Sequence, residues 1–217
     1  MKNLKTILFL LLMAFVFSCS SEDSDPPPPP PEGIVTIEDL IDTHTGEKNG
    51  QSKLTRYNGR ILFEIETGNL IPGHVYQVIC AIFNKPENCI GPCDVDDFNN
   101  NNEAVEAIAF VMAGKVVNSE SATFQATLDV NDIDYDHLPV DAPANKWGGI
   151  KNATTATIGL LIKSQGPAQD GLTNTQMTTY QQACSFANYG YYEAGSRVPE
   201  EIGECAYIRD SQHVAPL

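Results

Sequence analysis

Six consecutive prolines, Pro26 to Pro31, set the boundary within which this chain can fold. Proline lacks an amide hydrogen and has a fixed φ, so a run of it joins neither a helix interior nor a central strand. It forms a stiff polyproline II rod of about 3.1 Å per residue. The fold must be built from the residues beyond the rod, about 185 of them, enough for one domain with a sizeable core. The segment before the rod has another character. Lys2 and Lys5 open the chain and an apolar run extends from Ile7 to Phe17, about 11 residues against the ~20 of a membrane-spanning helix. A basic start, a short apolar stretch and a small residue at its end have the form of a secretory signal.

That segment ends Val16-Phe17-Ser18-Cys19, an aliphatic residue, a variable one, a small one and a cysteine. The pattern resembles a lipobox, and the chain is similar in this to bacterial outer-membrane lipoproteins. The resemblance implies that residues 1–18 are a lipoprotein signal peptide and that Cys19 becomes the acylated (palmitate-type) first residue, anchored in the membrane. Each buried methylene adds about 0.8 kcal/mol and one chain anchors only marginally, so two or three are expected. Ser20 stands where an aspartate would resemble an inner-membrane retention signal. The acidic stretch Ser21-Glu22-Asp23-Ser24-Asp25 resembles the export tether of surface-displayed lipoproteins; it reads equally well as a solvated, disordered spacer. The expected layout is a lipidated, disordered acidic and proline-rich tether over 19–33 and a single domain over 34–217, on the outer membrane and facing the cell exterior.

Charge narrows the partners. The chain has 13 basic and 28 acidic residues, a formal charge of −15. Removal of 1–18 takes away Lys2 and Lys5 and makes it −17. Such a balance argues against nucleic acid and against anionic headgroups. The membrane is therefore reached through Cys19, and the remaining partner classes are a surface glycan or a protein.

With Cys19 acylated, five of the six cysteines remain: Cys80, Cys89, Cys93, Cys184 and Cys205. An exported compartment permits disulfides, but five cysteines cannot all pair within one chain. Cys89 and Cys93 flank Ile90-Gly91-Pro92, a turn that can bring them together, and Cys184 and Cys205 bracket a loop rich in Tyr, Gly and Glu. Cys80 sits in an apolar strand pattern and reads as a buried free thiol. A metal site is the rival reading, without Cys-x-x-Cys spacing or a neighbouring His pair to support it.

The apolar patterning is that of strands. His74 to Phe83 is a nearly continuous apolar run bounded by turns and is expected to lie centrally in a sheet. Arg60 to Thr67 alternates in part, and Phe124, Ala126 and Leu128 alternate with Gln125 and Thr127 at a period of two. Val105 to Leu128 has helix formers early on but reads as strand, turn at Asn118–Ser121, strand, with the look of a hairpin. Thr155 to Ser164 is a further strand closed by Gln165-Gly166-Pro167, and Ala206 to Val214 is the last. Ile34 to Leu40 fits a strand or the start of a helix, and Thr173 to Cys184 a short helix. Strands joined by Gly, Pro and Asn turns without a βαβ rhythm indicate an all-β fold, an antiparallel β-sandwich with one short helix.

Gly68 to Tyr76, Phe83 to Cys89, Cys93 to Asp97, Ile162 to Ala168 and Cys184 resemble an uncharacterised group of secreted bacterial β-rich proteins. The likeness covers roughly residues 60–213 and implies the fold; it brings no catalytic residues.

Three constellations can carry chemistry. Asp94, Asp96, Asp97, Asn99, Asn101 and Glu103 form a dense oxygen-ligand cluster of the kind Ca2+ takes, without an EF-hand's turn glycine or its terminal Glu. A solvated acidic loop is the plainer reading. Asp132, Asp134 and Asp136 share one face if extended and form a second calcium candidate, against a polar hairpin end. Trp147, the single tryptophan, together with Tyr189, Tyr191 and Tyr192 can stack on sugar rings; a tryptophan that plugs the open end of the core is the alternative. His44, His74, His137 and His213 are scattered, and neither a Gly-x-Ser-x-Gly elbow nor a His-Glu-x-x-His helix is present. The expectation is a lipid-anchored surface protein that binds or supports and does not catalyse, with an enzyme on polysaccharide or peptide and a calcium-stabilised adhesion domain as the alternatives.

Overall fold

A computed structural model of the chain describes residues 32–132, 147–178 and 207–214. Eight strands form one antiparallel sheet. They are β1 (Ile34–Asp42), β2 (Lys48–Tyr57), β3 (Arg60–Thr67), β4 (His74–Phe83), β5 (Ala107–Val116), β6 (Ala122–Asp129), β7 (Thr157–Pro167) and β8 (Tyr207–His213). Their order across the sheet is β5-β4-β7-β8-β1-β2-β3-β6. The described residues also hold three short helices, α1 (Val95–Asn100), α2 (Asn102–Val105) and α3 (Thr173–Thr178), and a 3-10 turn at Pro86–Asn88. The expected all-β antiparallel sandwich is the fold observed, made from a single sheet that curls over its own inner face.

The curl has its cause in which side chains are apolar. On β3, Ile61, Phe63 and Ile65 point inward and are buried, with exposed Leu62 and half-buried Glu64 between them. On β4 and β7, Tyr76, Val78, Cys80, Ile82, Ile158, Leu160 and Ile162 do the same, and all ten belong to one cluster. Strands from both halves of the sheet therefore share one core. At about 25 cal/mol per Å2 of apolar surface, burial of each Leu, Ile or Phe side chain contributes roughly 1.5–3 kcal/mol.

The nearly continuous apolar run of β4 has a physical reason: both of its faces are covered. Inward it meets the main core. Outward, Phe83 packs with Cys93, Val105 and Ala107 in a second cluster beneath α1 and the preceding loop. Further along the same face Gln77 Nε2 donates to the Gln176 carbonyl of α3 at 2.7 Å, and Gln165 Nε2 donates to Gln77 Oε1 at 2.7 Å. Helix α3 lies so close to β5 that a Cβ added at Gly114 would overlap the Met177 carbonyl oxygen.

Several features depart from what the sequence predicts. The two strands read as a hairpin within Val105–Leu128 form, but β5 bonds to β4 and β6 to β3, so they are the two terminal strands of the sheet and not a bonded pair. Strand β2 carries no strand signal, because of its inward positions Gly50, Ser52, Leu54 and Arg56 only Leu54 is apolar. The turn expected at Gln165-Gly166-Pro167 is instead a β-bulge: the register with β4 shifts between His74 and Tyr76, Gly166 takes φ 72°, and β7 continues to Pro167. A glycine in the left-handed region inserts an extra residue without ending the strand.

Candidate functional site

Ser52 and Arg56 project from β2 into a buried polar cluster beneath the β8–β1 junction. Ser52 Oγ donates to Ser211 Oγ at 2.7 Å and lies 2.8 Å from His213 Nε2, while Thr36 Oγ1 lies 2.8 Å from His213 Nδ1. A serine hydroxyl beside an imidazole is the arrangement of a nucleophile and its base. Here Ser52 and His213 are both fully buried, and the imidazole is held by a threonine hydroxyl where a catalytic pair uses a carboxylate. Ser52 Oγ is shared among Ser211 Oγ, His213 Nε2 and the Glu38 carbonyl, the last at 3.4 Å, so it is held in a closed hydrogen-bond web and does not face a substrate. Burial, and next the Arg56 charge, push His213 down to about 4.

Arg56 is 1% exposed and has no carboxylate partner among the described residues. Its Nη1 donates to the carbonyls of Ala153 (2.9 Å) and Ala156 (2.7 Å), and its Nη2 to that of His213 (2.8 Å). Nε is buried without a partner. The planar fork thus ties β2 to the loop before β7 and to the end of β8. The free thiol of Cys80 is fully buried nearby and is pushed up to about 12 by burial, against the opposing pull of Arg56. The cluster works as a structural core.

The first acidic cluster folds. Asp94 is the N-cap of α1, its carboxylate accepting from the N–H groups of Asp96 (2.8 Å) and Asp97 (3.1 Å), a contact worth about 1 kcal/mol. Asp97 is buried, and its Oδ1 accepts from the Ile90 N–H at 3.1 Å and from Asn101 Nδ2 at 3.3 Å. These bonds hold the loop closed by the Cys89–Cys93 disulfide. Asp96 and Asp132 are exposed. No three metal-ligating side chains converge among the described residues. Cys19, Asp134, Asp136, Cys184, Tyr191, Tyr192 and Cys205 lie outside those residues.

Trp147 is half-buried at one end of the sheet. Its Nε1–H donates to Asn102 Oδ1, and the Lys151 ammonium lies 5.8 Å from the ring centroid. Lys151 and Lys85 both pair with Glu106, whose hydrogen bonds from Lys151 and then Lys85 hold its carboxyl below the usual carboxylate range. One ring face is therefore occupied by a cation fixed in an ion triad.

Among the described residues an open concave feature lies elsewhere, where the two terminal strands of the sheet meet. A groove of about 770 Å3 runs between the end of β5 and the start of β6, lined by Glu66, Thr67, Lys115, Ser119, Ser121 and Thr123 among others. Register fixes its position. Leu40, Gly50, Thr67 and Ala122 form one row across β1, β2, β3 and β6, and the groove opens beside it. Ile34, where the chain enters the domain, belongs to the row of Arg56, Ile61 and Leu128 at the other end of the same strands. At ~3.3 Å per residue the two rows are roughly 20 Å apart. Sequence reasoning missed this site, since its members come from four strands and two turns and share no motif.

The fold and groove define an antiparallel β-sandwich-like domain with a polar seam. No protein-family model, curated protein or solved structure matches the chain.

Proposed function

We propose that this is a lipid-anchored outer-membrane protein whose β domain binds a ligand at the cell surface and performs no catalysis. The observation that carries this reading is the seam groove itself, an open cleft at the meeting of β5 and β6 that a ligand can enter from solvent. Its volume lies in the range of ligand-binding clefts, about 300–1,000 Å3. The Ser52–His213 pair offers no rival, because both residues are enclosed by the core. The Cys89–Cys93 bond accords with an oxidising compartment.

The test is metabolic labelling of cells with an alkyne analogue of palmitate, combined with protease treatment of intact cells. The wild-type protein takes up label and is cleaved from outside, whereas Cys19→Ala takes up none. An unlabelled wild-type protein, or one that the protease cannot reach, overturns the proposal.

A further inference from the structure

We infer that the β5–β6 seam is a strand-addition site, taking an extended basic polypeptide segment that pairs with the free edge of β6. The inference rests on the proposal that the domain is a binding module and names the ligand class of its groove.

Strand β6 closes one side of the sheet. It pairs with β3 without a break from Arg60–Asp129 to Thr67–Ala122, and on its other side no strand is bonded to it among the described residues. In an antiparallel ladder the N–H and C=O of one residue point to the same side, and alternate residues point to opposite sides. The side that faces the seam is set by Lys115 on β5, whose ammonium donates to the Thr123 carbonyl. Thr123, Gln125 and Thr127 therefore present their backbone groups to the seam.

Natural edge strands are blunted by proline, by a bulge, by an inward charge or by a cover. The other terminal strand, β5, has such protection: its register with β4 shifts between Val78 and Ile79, and α3 packs on it at Gly114. Strand β6, Ala-Thr-Phe-Gln-Ala-Thr-Leu-Asp, has no proline, no bulge and no inward charge. Its one guard is Lys115, which takes the place of an incoming N–H donor at Thr123 and rests 4.7 Å from the centroid of the Phe124 ring.

The seam also leaves the core incompletely covered. Met112 and Ala113 of β5 and Ala122 and Ala126 of β6 pack on the core and are only half-buried. A strand laid along β6 would direct alternate side chains against them, which is how strand addition combines backbone affinity with side-chain selectivity. No aromatic ring lines the groove for a sugar to stack on. The rim carries more acid than base: Glu64 accepts from Gln125 Nε2, Glu66 lines the groove and Glu120 sits in the connecting turn, against the one ammonium of Lys115. Acidic rims select basic partners and repel a second copy of a chain whose formal charge is −15.

The experiment titrates the full mature protein with a nine-residue alternating Lys-Val peptide, its Glu-Val counterpart, and the Lys-Val peptide N-methylated at alternate amides. The Lys-Val peptide is expected to bind at least tenfold more tightly than either of the others. Gln125→Pro removes one seam-facing N–H, no backbone bond to β3 and the exposed side-chain bond to Glu64, so its melting temperature should stay close to that of Gln125→Ala, which loses the side-chain bond alone, while its peptide binding should be at least tenfold weaker than that of Gln125→Ala or the wild type. Lys115→Met, which frees the Thr123 carbonyl, should strengthen binding several-fold. Equal binding of the three peptides, or unchanged binding by Gln125→Pro, overturns the inference. So does a dimer in sedimentation that Gln125→Pro dissolves, because the occupant is then a second copy. Each of these results leaves palmitate labelling and surface exposure intact, whereas failure of the anchored-module proposal appears in that labelling and not in the titration.

Discussion

Ser52 and His213 stand 161 residues apart in the chain, yet Ser52 Oγ lies 2.8 Å from His213 Nε2. The contact joins β2 to β8 across β1, where β1 and β8 share, among the described residues, only the pairs Ile41–Asp210 and Asp42–Arg209. Beyond those two rungs the junction is held by side chains: Thr36 to His213, Ser52 to both Ser211 and His213, and Arg56 to the His213 carbonyl. The polar cluster closes the sheet where backbone pairing gives out.

Protonation of His213 should therefore loosen the domain. Its folded value is lowered from 6.5 to about 4, so the unfolded chain binds the proton first as pH falls. The stabilisation is fully present above pH 6.5 and is lost progressively between 6.5 and about 4. At about 1.4 kcal/mol per pH unit the loss is on the order of 3 kcal/mol. Urea unfolding of the wild type and His213→Gln across that window should show their stability difference shrinking by about that amount; a constant difference refutes the assignment.

Arg56→Met should destabilise the domain by about 2–4 kcal/mol, because it leaves the carbonyls of Ala153, Ala156 and His213 without donors in a dry site. Arg56→Lys should recover only part of this, since one ammonium cannot span carbonyls from two segments as the planar fork does. Chemical denaturation of the three proteins decides it, and an Arg56→Met protein as stable as the wild type contradicts the arrangement.

The Cys80 thiol should be inert in the folded state. It is fully buried and pushed up to about 12, so no reactive thiolate is present near pH 8. Alkylation at pH 8 with subsequent peptide mapping should find Cys80 unmodified in native protein and fully modified after denaturation. Rapid labelling of the native protein at that peptide excludes the burial.

Replacing Cys89 and Cys93 together by alanine opens a loop of sequence separation 4. The chain-entropy relation for so short a loop gives a loss of about 2 kcal/mol. Asp97 and the α1 cap still hold the segment, so circular dichroism should remain that of the wild type while the melting temperature falls. An unchanged melting temperature would show that the bond adds nothing to those contacts.

Much of the fold is legible in the residues. His74–Phe83 and Arg60–Thr67 are strands with the expected bounds, Ile34–Leu40 falls within β1, and a short helix lies within Thr173–Cys184. Cys89 and Cys93 pair across their Gly-Pro turn, and Cys80 is free and buried as its apolar setting indicates. The acidic run after Cys93 has the composition of a loop and is helical in part, because Asp94 caps the backbone and Asp97 is drawn inside.

What the chain determined by itself is local. Period-two alternation, turn residues and cysteine spacing act over a few residues, so they can be read from those residues alone. Strand β2 escapes that reading because it buries Ser52 and Arg56, and a polar side chain can face inward only when partners far along the chain meet its hydrogen bonds. The groove escapes it for a related reason. Lys115 and Thr123 are only eight residues apart, but β5 bonds to β4 and β6 to β3, so whether these consecutive strands pair with each other or stand as two walls of a cleft is settled by long-range strand pairing and by the core that both halves of the sheet share.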